Sequence, residues 1–403
     1  MERSIGQALL EALRAGLEGR TVDWTEPWPV EEWRALFCLA AWQKVSPMVH
    51  EAVSGSAAWK CAPPELRNPE RMNAIRGVAM QAMQSDAFCR VYAALRKAGV
   101  RPLVVKGIVC RSLYPMPDCR PSGDEDLLIS EAEFPACRET LLRCGLEQAK
   151  DGDEFEVTFC HPKNGLHLEV HKALFAPDSD ALGDFNRFFD GAAERAMTLT
   201  VERTEVSTLS AHDHLLFLLL HALKHFIHSG FGVRQVLDIA LWARKFGGNV
   251  DWPLLQRQCR EVHADVFAAA VFQAAEREFG IPAPAGWPET DCAALLEDVL
   301  SGGIYGATDR SRLHSGTVTL RAVEAQRRGG HSGSLLRTVF PGRKSLQGRY
   351  PYLKRYPVLL PVAWGQRLWA YGREVGKRGD GAAESLKTAN RRLELLRQYQ
   401  IIK

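Results

Sequence analysis

The sequence predicts an α+β fold in which a small mixed sheet is flanked by N-terminal and C-terminal helical regions. Two observations predict it. Apolar residues recur at helical spacing before residue 99 and again after residue 205, as in amphipathic helices. Between these positions lie short β-branched runs and the pair Asn164-Gly165, a strong signal for a hairpin turn. The 403 residues allow roughly two to four domains.

Residues 1–98 are expected to form an N-terminal helical region. Its first helix is indicated by Leu9, Leu13 and Leu17, which are four residues apart. The proline-rich segment 63–69 is expected to separate two helices, and Gly99 is expected to end the last one.

Residues 99–205 are expected to form a compact α/β unit. Apolar and β-branched runs predict strands at 103–105, 126–129, 153–160 and 166–171, and helical spacing predicts helices at 108–114 and 130–142. Beyond the unit, residues 206–300 are expected to be a helical domain. Residues 301–403 are expected to be a basic C-terminal region with a final helix.

The charge is distributed unevenly along the chain. The net charge is +3, yet residues 301–403 contain 20 Lys and Arg residues against 6 Asp and Glu residues. A basic segment on an acidic body predicts either an anionic partner or an intramolecular clamp.

Composition and missing motifs argue against several classes of protein. Ten cysteines without a C-x-x-C pair indicate reduced thiols and a cytoplasmic location, not a disulfide framework or a zinc site. No apolar run approaches the ~20 residues that span a bilayer, and the N-terminus lacks a signal-peptide pattern, so no membrane is expected as a partner. A P-loop and a G-x-S-x-G elbow are also missing, which argues against a P-loop kinase and an α/β-hydrolase.

Asp124 and Asp126 form the most informative motif. They follow Gly123 and precede a short apolar run, and residues two apart on a strand share a face. Two adjacent carboxylates repel each other unless a cation lies between them, and hard oxygen ligands suit Mg²⁺ with substrate phosphates. The alternative interpretation is an acidic turn before a strand.

Three further residues extend this motif. Glu169 lies on a strand whose alternation places it on one face with His167 and His171, so it could complete a two-metal carboxylate cluster. The strand that ends at Lys106-Gly107 could present backbone N–H groups and a point charge to a phosphate. Arg120 is a second candidate phosphate contact.

In this order, the motifs resemble the DNA polymerase β-type nucleotidyltransferase superfamily. More specifically, the chain is similar to a family of uncharacterised bacterial nucleotidyltransferases. The resemblance rests on four segments: Val105-Lys106-Gly107, Leu113-Tyr114-Pro115, Arg120 to Leu128 and Glu169-Val170-His171.

The resemblance implies an activity and a set of site residues. Asp124, Asp126 and Glu169 would be the catalytic and metal-binding residues, with two Mg²⁺ ions, or Mn²⁺ in their place. An NTP, ATP by default, would lie between the α/β unit and the helical domain. Its phosphates would contact the candidate nucleotide-binding residues, which are Lys106, Gly107, Arg120, Gly123 and Lys224.

Two positions depart from the superfamily pattern. Lys106-Gly107 stands where the superfamily has Gly-Ser, so a serine contact to phosphate is missing. Glu125 stands between the aspartates, where the residue is usually apolar and faces the core. Because an isolated buried carboxylate is costly, Glu125 must reach solvent or find a basic partner.

His214, His221, His225 and His228 share one face of a predicted helix. This face could turn toward the catalytic cleft, and a metal site is the alternative.

The expected function is a Mg²⁺-dependent transfer of NMP, with AMP as the default, from an NTP to an acceptor hydroxyl with release of pyrophosphate. Two alternatives stay open. One is an ATP-dependent phosphotransferase on the same scaffold, and the other is a catalytically silent module that binds RNA or protein. The acceptor is unknown, and a small molecule, a peptide, a protein or a tRNA is compatible with the sequence.

Overall fold

The computed structural model describes residues 4–149, 155–177, 179, 181–302, 310–327, 342–346, 350–366 and 381–403. The described chain opens with helices α1 (Ile5–Leu17), α2 (Val30–Trp42), α3 (Ser46–Ser54), α4 (Ala57–Cys61) and α5 (Pro64–Lys97). This confirms a helical N-terminal region.

The prediction that residues 63–69 separate two helices is wrong for most of that segment. Helix α5 begins at Pro64 and continues for 34 residues through Pro69. Pro64 suits the first helical turn, whose N–H groups have no helical partner. Pro69 lies one turn further in, so the helix forgoes one backbone hydrogen bond near its start and is not interrupted.

The sheet is mixed, as predicted. Its strands are β1 (Leu103–Val105), β2 (Glu125–Leu128), β3 (Glu147–Gln148), β4 (Glu156–Cys160) and β5 (His167–His171), in the order β1-β2-β5-β4-β3. Strand β2 pairs antiparallel with β1 and parallel with β5, and every other pairing in this sheet is antiparallel. Residues 153 and 154 of the strand predicted at 153–160 lie outside the described residues.

Two helices connect these strands, namely α6 (Gly107–Arg111) and α7 (Phe134–Arg143). A hairpin of β6 (Met197–Val201) and β7 (Thr204–Thr208) follows the sheet, and it was not predicted. Strand β7 crosses the expected domain limit at residue 205. Short 3₁₀ helices occupy Pro117–Cys119, Glu131–Glu133, Gly183–Phe189, Gly247–Asn249 and Pro357–Leu359.

Helices form most of the remaining described chain. They are α8 (Ala211–His228), α9 (Val233–Phe246), α10 (Trp252–Glu261), α11 (Asp265–Phe279), α12 (Ala293–Gly302), α13 (Arg310–Arg327), α14 (Arg343–Leu346), α15 (Tyr352–Arg355) and α16 (Gly381–Gln398). Helix α8 lies at the centre, and nearly all of its residues are buried. None of the described helices is long and apolar enough to cross a membrane.

The final helix packs against the body of the protein. Arg392 donates hydrogen bonds to the carbonyl oxygens of Phe226 and His228 at the end of α8. Tyr399 accepts a hydrogen bond from the Leu295 amide over 2.9 Å, and Arg391 contacts Glu297 over 2.6 Å. Part of the basic C-terminal region is therefore bound within the molecule.

Candidate active site

Strand pairing brings the candidate residues together. In the register of the sheet, Asp126 lies opposite Val105 of β1 and opposite Glu169 of β5. Lys106 follows Val105 directly, and His171 shares a face with Glu169 because side chains alternate along a strand. The parallel pairing of β2 and β5 thus gathers residues that are far apart in sequence.

Asp126, Glu169 and His171 form a compact cluster. One ligand atom from each lies within 4.8 Å of the others, and this is the only such group found among the described residues. His171 Nε2 is 3.1 Å from Asp126 Oδ1 and 3.6 Å from Glu169 Oε2. On its other side, His171 Nδ1 is 3.5 Å from Glu156 Oε2. The imidazole therefore lies among three carboxylates.

The cluster perturbs the proton affinities of its members. Burial alone would lower the pKa of His171, but the hydrogen bonds to Asp126 and Glu169 outweigh burial and raise this pKa to about 9. The same contact with His171 lowers the pKa of Glu169. Burial raises the pKa of the neighbouring Glu156. Without a bound cation, His171 thus carries a positive charge at neutral pH.

The predicted carboxylate triad is only partly assembled. Asp126 and Glu169 lie together, whereas Asp124 is half-buried and lines the cleft outside the compact cluster. The third member of the cluster is His171, which the sequence placed on the correct face without giving it a role.

The Lys106 side chain lies over Asp126. Its Nζ is 2.9 Å from Asp126 Oδ1 and 3.2 Å from His221 Nε2. The other oxygen of Asp126, Oδ2, is buried and accepts no hydrogen bond from the described part of the chain. An unpartnered buried carboxylate oxygen beside Glu169 fits a divalent cation such as Mg²⁺ or Mn²⁺, because carboxylate oxygens suit both ions.

Arg120 is anchored within the protein. Its Nε donates to Asp238 Oδ1 over 3.0 Å, and Nη2 donates to Asp238 Oδ2. Tyr114 donates to the same carboxylate over 2.8 Å. Burial alone would lower the pKa of Arg120, but the charge of Asp238 raises it. Arg120 lines the cleft, so it fixes Asp238 there, and its contact with a phosphate stays a prediction.

The Lys106-Gly107 turn differs from the predicted phosphate-binding helix start. Helix α6 has five residues, and the amide of Ile108 donates to Glu125 Oε2 over 2.6 Å. This amide is therefore already paired within the protein. Gly107 lines the cleft, and the positive charge at this point comes from the Lys106 side chain.

The histidine stripe of α8 divides into different environments. His214 is fully buried, and its Nε2 accepts from the Lys106 amide over 3.3 Å. Burial lowers the pKa of His214 to about 3. His221 lines the cleft and is 3.2 Å from His225 Nε2, whereas His228 is exposed near the end of the helix. The stripe thus reaches the cleft at His221, in its middle, and the described residues show no metal cluster among these histidines.

Lys224 lies on the same helix near the acidic cluster. Burial lowers its pKa, the charge of Lys106 lowers it further, and the charges of Glu156, Asp126 and Glu169 oppose this. A nucleotide contact by Lys224 stays a prediction.

A cleft of about 460 Å³, counted with the space open to solvent, lies between the sheet and helices α8 and α9. Its lining residues are Lys106, Gly107, Arg120, Ser122, Asp124, Asp126, Leu218, His221, Arg234, Gln235, Asp238 and Ile239.

The chain thus combines an α+β fold with a cluster of two carboxylates and a histidine beside a cleft. The chain belongs to a family described as uncharacterised nucleotidyltransferase, whose model matches residues 29–280. The chain is also similar to a solved structure, an antigenic nucleotidyltransferase-like protein from Paracoccidioides brasiliensis. That similarity has 12% identity and a TM-score of 0.33, and it covers 53% of this chain and 96% of the other. A search of curated proteins found no match.

Proposed function

We propose that the protein transfers a nucleoside monophosphate, by default AMP, from an NTP to an acceptor hydroxyl. The observation that carries this proposal is the cluster of Asp126, Glu169 and His171 at a cleft that also contains Lys106. The family assignment supports nucleotidyl transfer as the type of reaction.

Asp126 and Glu169 would hold a divalent ion, Mg²⁺ or Mn²⁺, and Asp124 at the cleft would help to hold a second. When bound, such ions supply electrostatic stabilisation of the phosphate oxygens. The unpartnered Asp126 Oδ2 is the atom that leaves room for this role.

The protein's own residues bind and orient the reactants. Lys106 and Lys224 would place positive charge near the triphosphate, and the backbone at Gly107 and Gly123 would contact it. Glu169, whose pKa is lowered by His171, stays ionised and accepts the proton of the acceptor hydroxyl. The hydroxyl oxygen forms a bond to the α-phosphorus, the bond from that phosphorus to the bridging oxygen breaks, and pyrophosphate leaves.

The limits at residues 98 and 300, the cytoplasmic location and an anionic partner for the basic region are further proposals. The basic residues of that region would bind such a partner through charge.

Labelled ATP tests the reaction type. The purified protein is incubated with Mg²⁺, a cell extract and ATP labelled at either the α- or the γ-phosphate. We expect the α-label to appear on an acceptor and the γ-label to appear in pyrophosphate. Transfer of the γ-label to the acceptor would instead establish a phosphotransferase, and a cellular function that survives Asp126→Asn would indicate a binding module.

A further inference from the structure

We propose that Glu125 is a positioning residue, which pairs with Arg111 beneath the Lys106-Gly107 turn and so holds Lys106 over Asp126. This inference rests on the proposed function, because it assigns Lys106 a role at the nucleotide site. Glu125 faces away from the cleft and touches no substrate in this account, so its effect is exerted through the turn.

The carboxylate of Glu125 connects two structural elements. Its Oε2 accepts a hydrogen bond from the Ile108 amide over 2.6 Å, and its Oε1 accepts one from Arg111 Nη2 over 2.9 Å. The side chains of Glu125 and Arg111 are only 4% and 1% exposed. The basic partner that Glu125 requires is therefore Arg111, and the Glu125 carboxylate joins β2 to both the start and the end of the five-residue helix α6.

The turn above this pair has an unusual backbone. Lys106 has a φ of 68° and Gly107 has a φ of 45°. A positive φ is unfavourable for a lysine, so the surrounding contacts must hold it. A Cβ at Gly107 would lie 1.9 Å from Glu125 Oε2, which shows how closely the carboxylate packs under the turn.

The turn is held from two sides. His214 accepts from the Lys106 amide over 3.3 Å, and Glu125 accepts from the Ile108 amide. Between these two restraints, the Lys106 side chain projects to Asp126 Oδ1 at 2.9 Å. Loss of the Glu125 restraint would release one side of the turn and displace the ammonium group.

The same pair connects to the loop that carries Asp124. Arg111 Nη1 donates to Ser122 Oγ over 2.7 Å, and Arg120 Nη1 donates to the same oxygen over 2.7 Å. Asp124 lies two residues after Ser122. Glu125 and Arg111 therefore fix the Lys106 turn and the Asp124 loop relative to each other.

A buried ion pair is weak evidence for stability, because desolvation of two charges offsets their attraction. An apolar pair of similar volume often preserves a fold. The pair is therefore better explained by the geometry that it imposes than by stability, and an experiment can separate the two.

The test compares Glu125→Gln with the wild-type protein and with Glu139→Gln, a control on the exposed surface of α7, where Glu139 is 71% exposed. Glutamine cannot accept from both Ile108 and Arg111, because its NH₂ group faces one of these donors. We expect at least a tenfold weaker binding of an α,β-methylene ATP analogue with Mg²⁺, seen as a raised Kd for the folded protein. Hydrogen exchange of the Ile108 amide should also become faster without nucleotide, and Glu139→Gln should change neither quantity.

Unchanged affinity and unchanged exchange in folded Glu125→Gln would overturn the inference. If that variant does not fold, Glu125→Asp keeps the charge near Arg111 but shortens the reach to Ile108, and the same two effects are expected. In the wild-type protein alone, an Ile108 amide that exchanges as fast as a solvent-exposed amide would also overturn it. If the wild-type protein binds no nucleotide but its Ile108 amide is protected from exchange, the proposed function is contradicted. The inference that Glu125 holds the turn would then still stand.

Discussion

Asp126 is the residue on which the chemistry of the site depends. One of its oxygens contacts Lys106 and His171, and the other accepts no hydrogen bond within the described residues. Lys106 and His171 thus offset the negative charge of Asp126 at Oδ1, and Oδ2 stays available as a buried metal ligand. A neutral side chain of the same shape would remove both the ion pairs and this ligand position.

Asp126→Asn should reduce transfer of the α-label by roughly 10²-fold or more, the scale seen when one electrostatic contact to a transition state is lost. The measurement is label transfer per folded molecule, with folding checked by circular dichroism. Asp86→Asn, at a surface residue paired with Arg90, is the matched control and should retain activity. Equal activity in both variants would contradict the assigned role of Asp126.

His214 makes the protein sensitive to acid. Thr208 donates its hydroxyl proton to the Val104 carbonyl oxygen, so His214 Nδ1 must donate to Thr208, and Nε2 is left to accept from Lys106. Burial lowers the pKa of His214 to about 3, below the unfolded value of 6.5. Below pH 6.5 the unfolded chain therefore binds a proton that the folded protein does not bind, and stability falls as the pH falls toward 3.

This contribution should be on the order of 1 kcal/mol per pH unit between pH 6 and pH 4. The free energy of unfolding, measured by urea titration across this range, should fall less steeply in His214→Asn than in the wild-type protein. Parallel pH profiles would show that His214 does not titrate in this way.

The Lys106-Gly107 turn is the element that ties β1 to the site. Gly107→Ala adds a methyl group to a residue with positive φ and places it against Glu125. Gly99→Ala is the matched control, because Gly99 also has a positive φ but has open space around it. The control should lose about 1–2 kcal/mol of stability through backbone strain alone.

We expect Gly107→Ala to lower the melting temperature more than Gly99→Ala and to weaken nucleotide binding, which the control should not affect. Thermal unfolding and nucleotide titration of both variants measure this difference. Similar behaviour of the two variants would mean that close packing against Glu125 does not matter.

Local sequence signals predicted some elements and missed others. The apolar runs at β1 and β2 and the Asn164-Gly165 turn identified the mixed sheet. The β6–β7 hairpin had no such signal, because its two-residue loop is Glu202-Arg203 instead of a glycine turn. Both of these residues have positive φ, 48° and 66°. Tertiary packing holds a conformation that the local sequence does not favour.

The candidate site was predictable to the extent that strand alternation determines it. Asp126 and Glu169 carry a recognisable pattern, and alternation put His171 on the face of Glu169. The partners of Arg120 and Glu125 were not predictable. The pair Arg120–Asp238 joins residues 118 apart, and the choice of Arg111 for Glu125 depends on how α6 packs on β2.

At the scale of the whole molecule, the C-terminal helices close over the end of α8. Helices α13 and α16 pack against each other, and α13 also packs against α8. Gly316 of α13 lies so close to α8 that a Cβ would be 2.1 Å from the His228 carbonyl oxygen. The basic region is thereby joined to the helix that walls the cleft.

Gly316→Ala tests this packing, because the expected change in stability is opposite to the usual one. Alanine normally stabilises a helix interior relative to glycine by about 1 kcal/mol. Here the added methyl group should force α13 away from α8 and lower the melting temperature. Gly248→Ala is the control, because a Cβ at Gly248 would have nothing within 4 Å of it. This variant should leave the melting temperature nearly unchanged. A stabilised Gly316→Ala protein would contradict this packing.

The central claim is that the cleft binds an NTP through a cation held by the Asp126 cluster. Calorimetric titration of the purified protein with the α,β-methylene analogues of the four NTPs, with and without Mg²⁺ or Mn²⁺, tests it most directly. We predict that at least one analogue binds the wild-type protein and that this binding requires the divalent ion. In Asp126→Asn, most of the affinity should be lost, and the remaining binding should no longer depend on the ion. Binding that is independent of the ion and unchanged in Asp126→Asn, or no binding of any analogue, would contradict the claim.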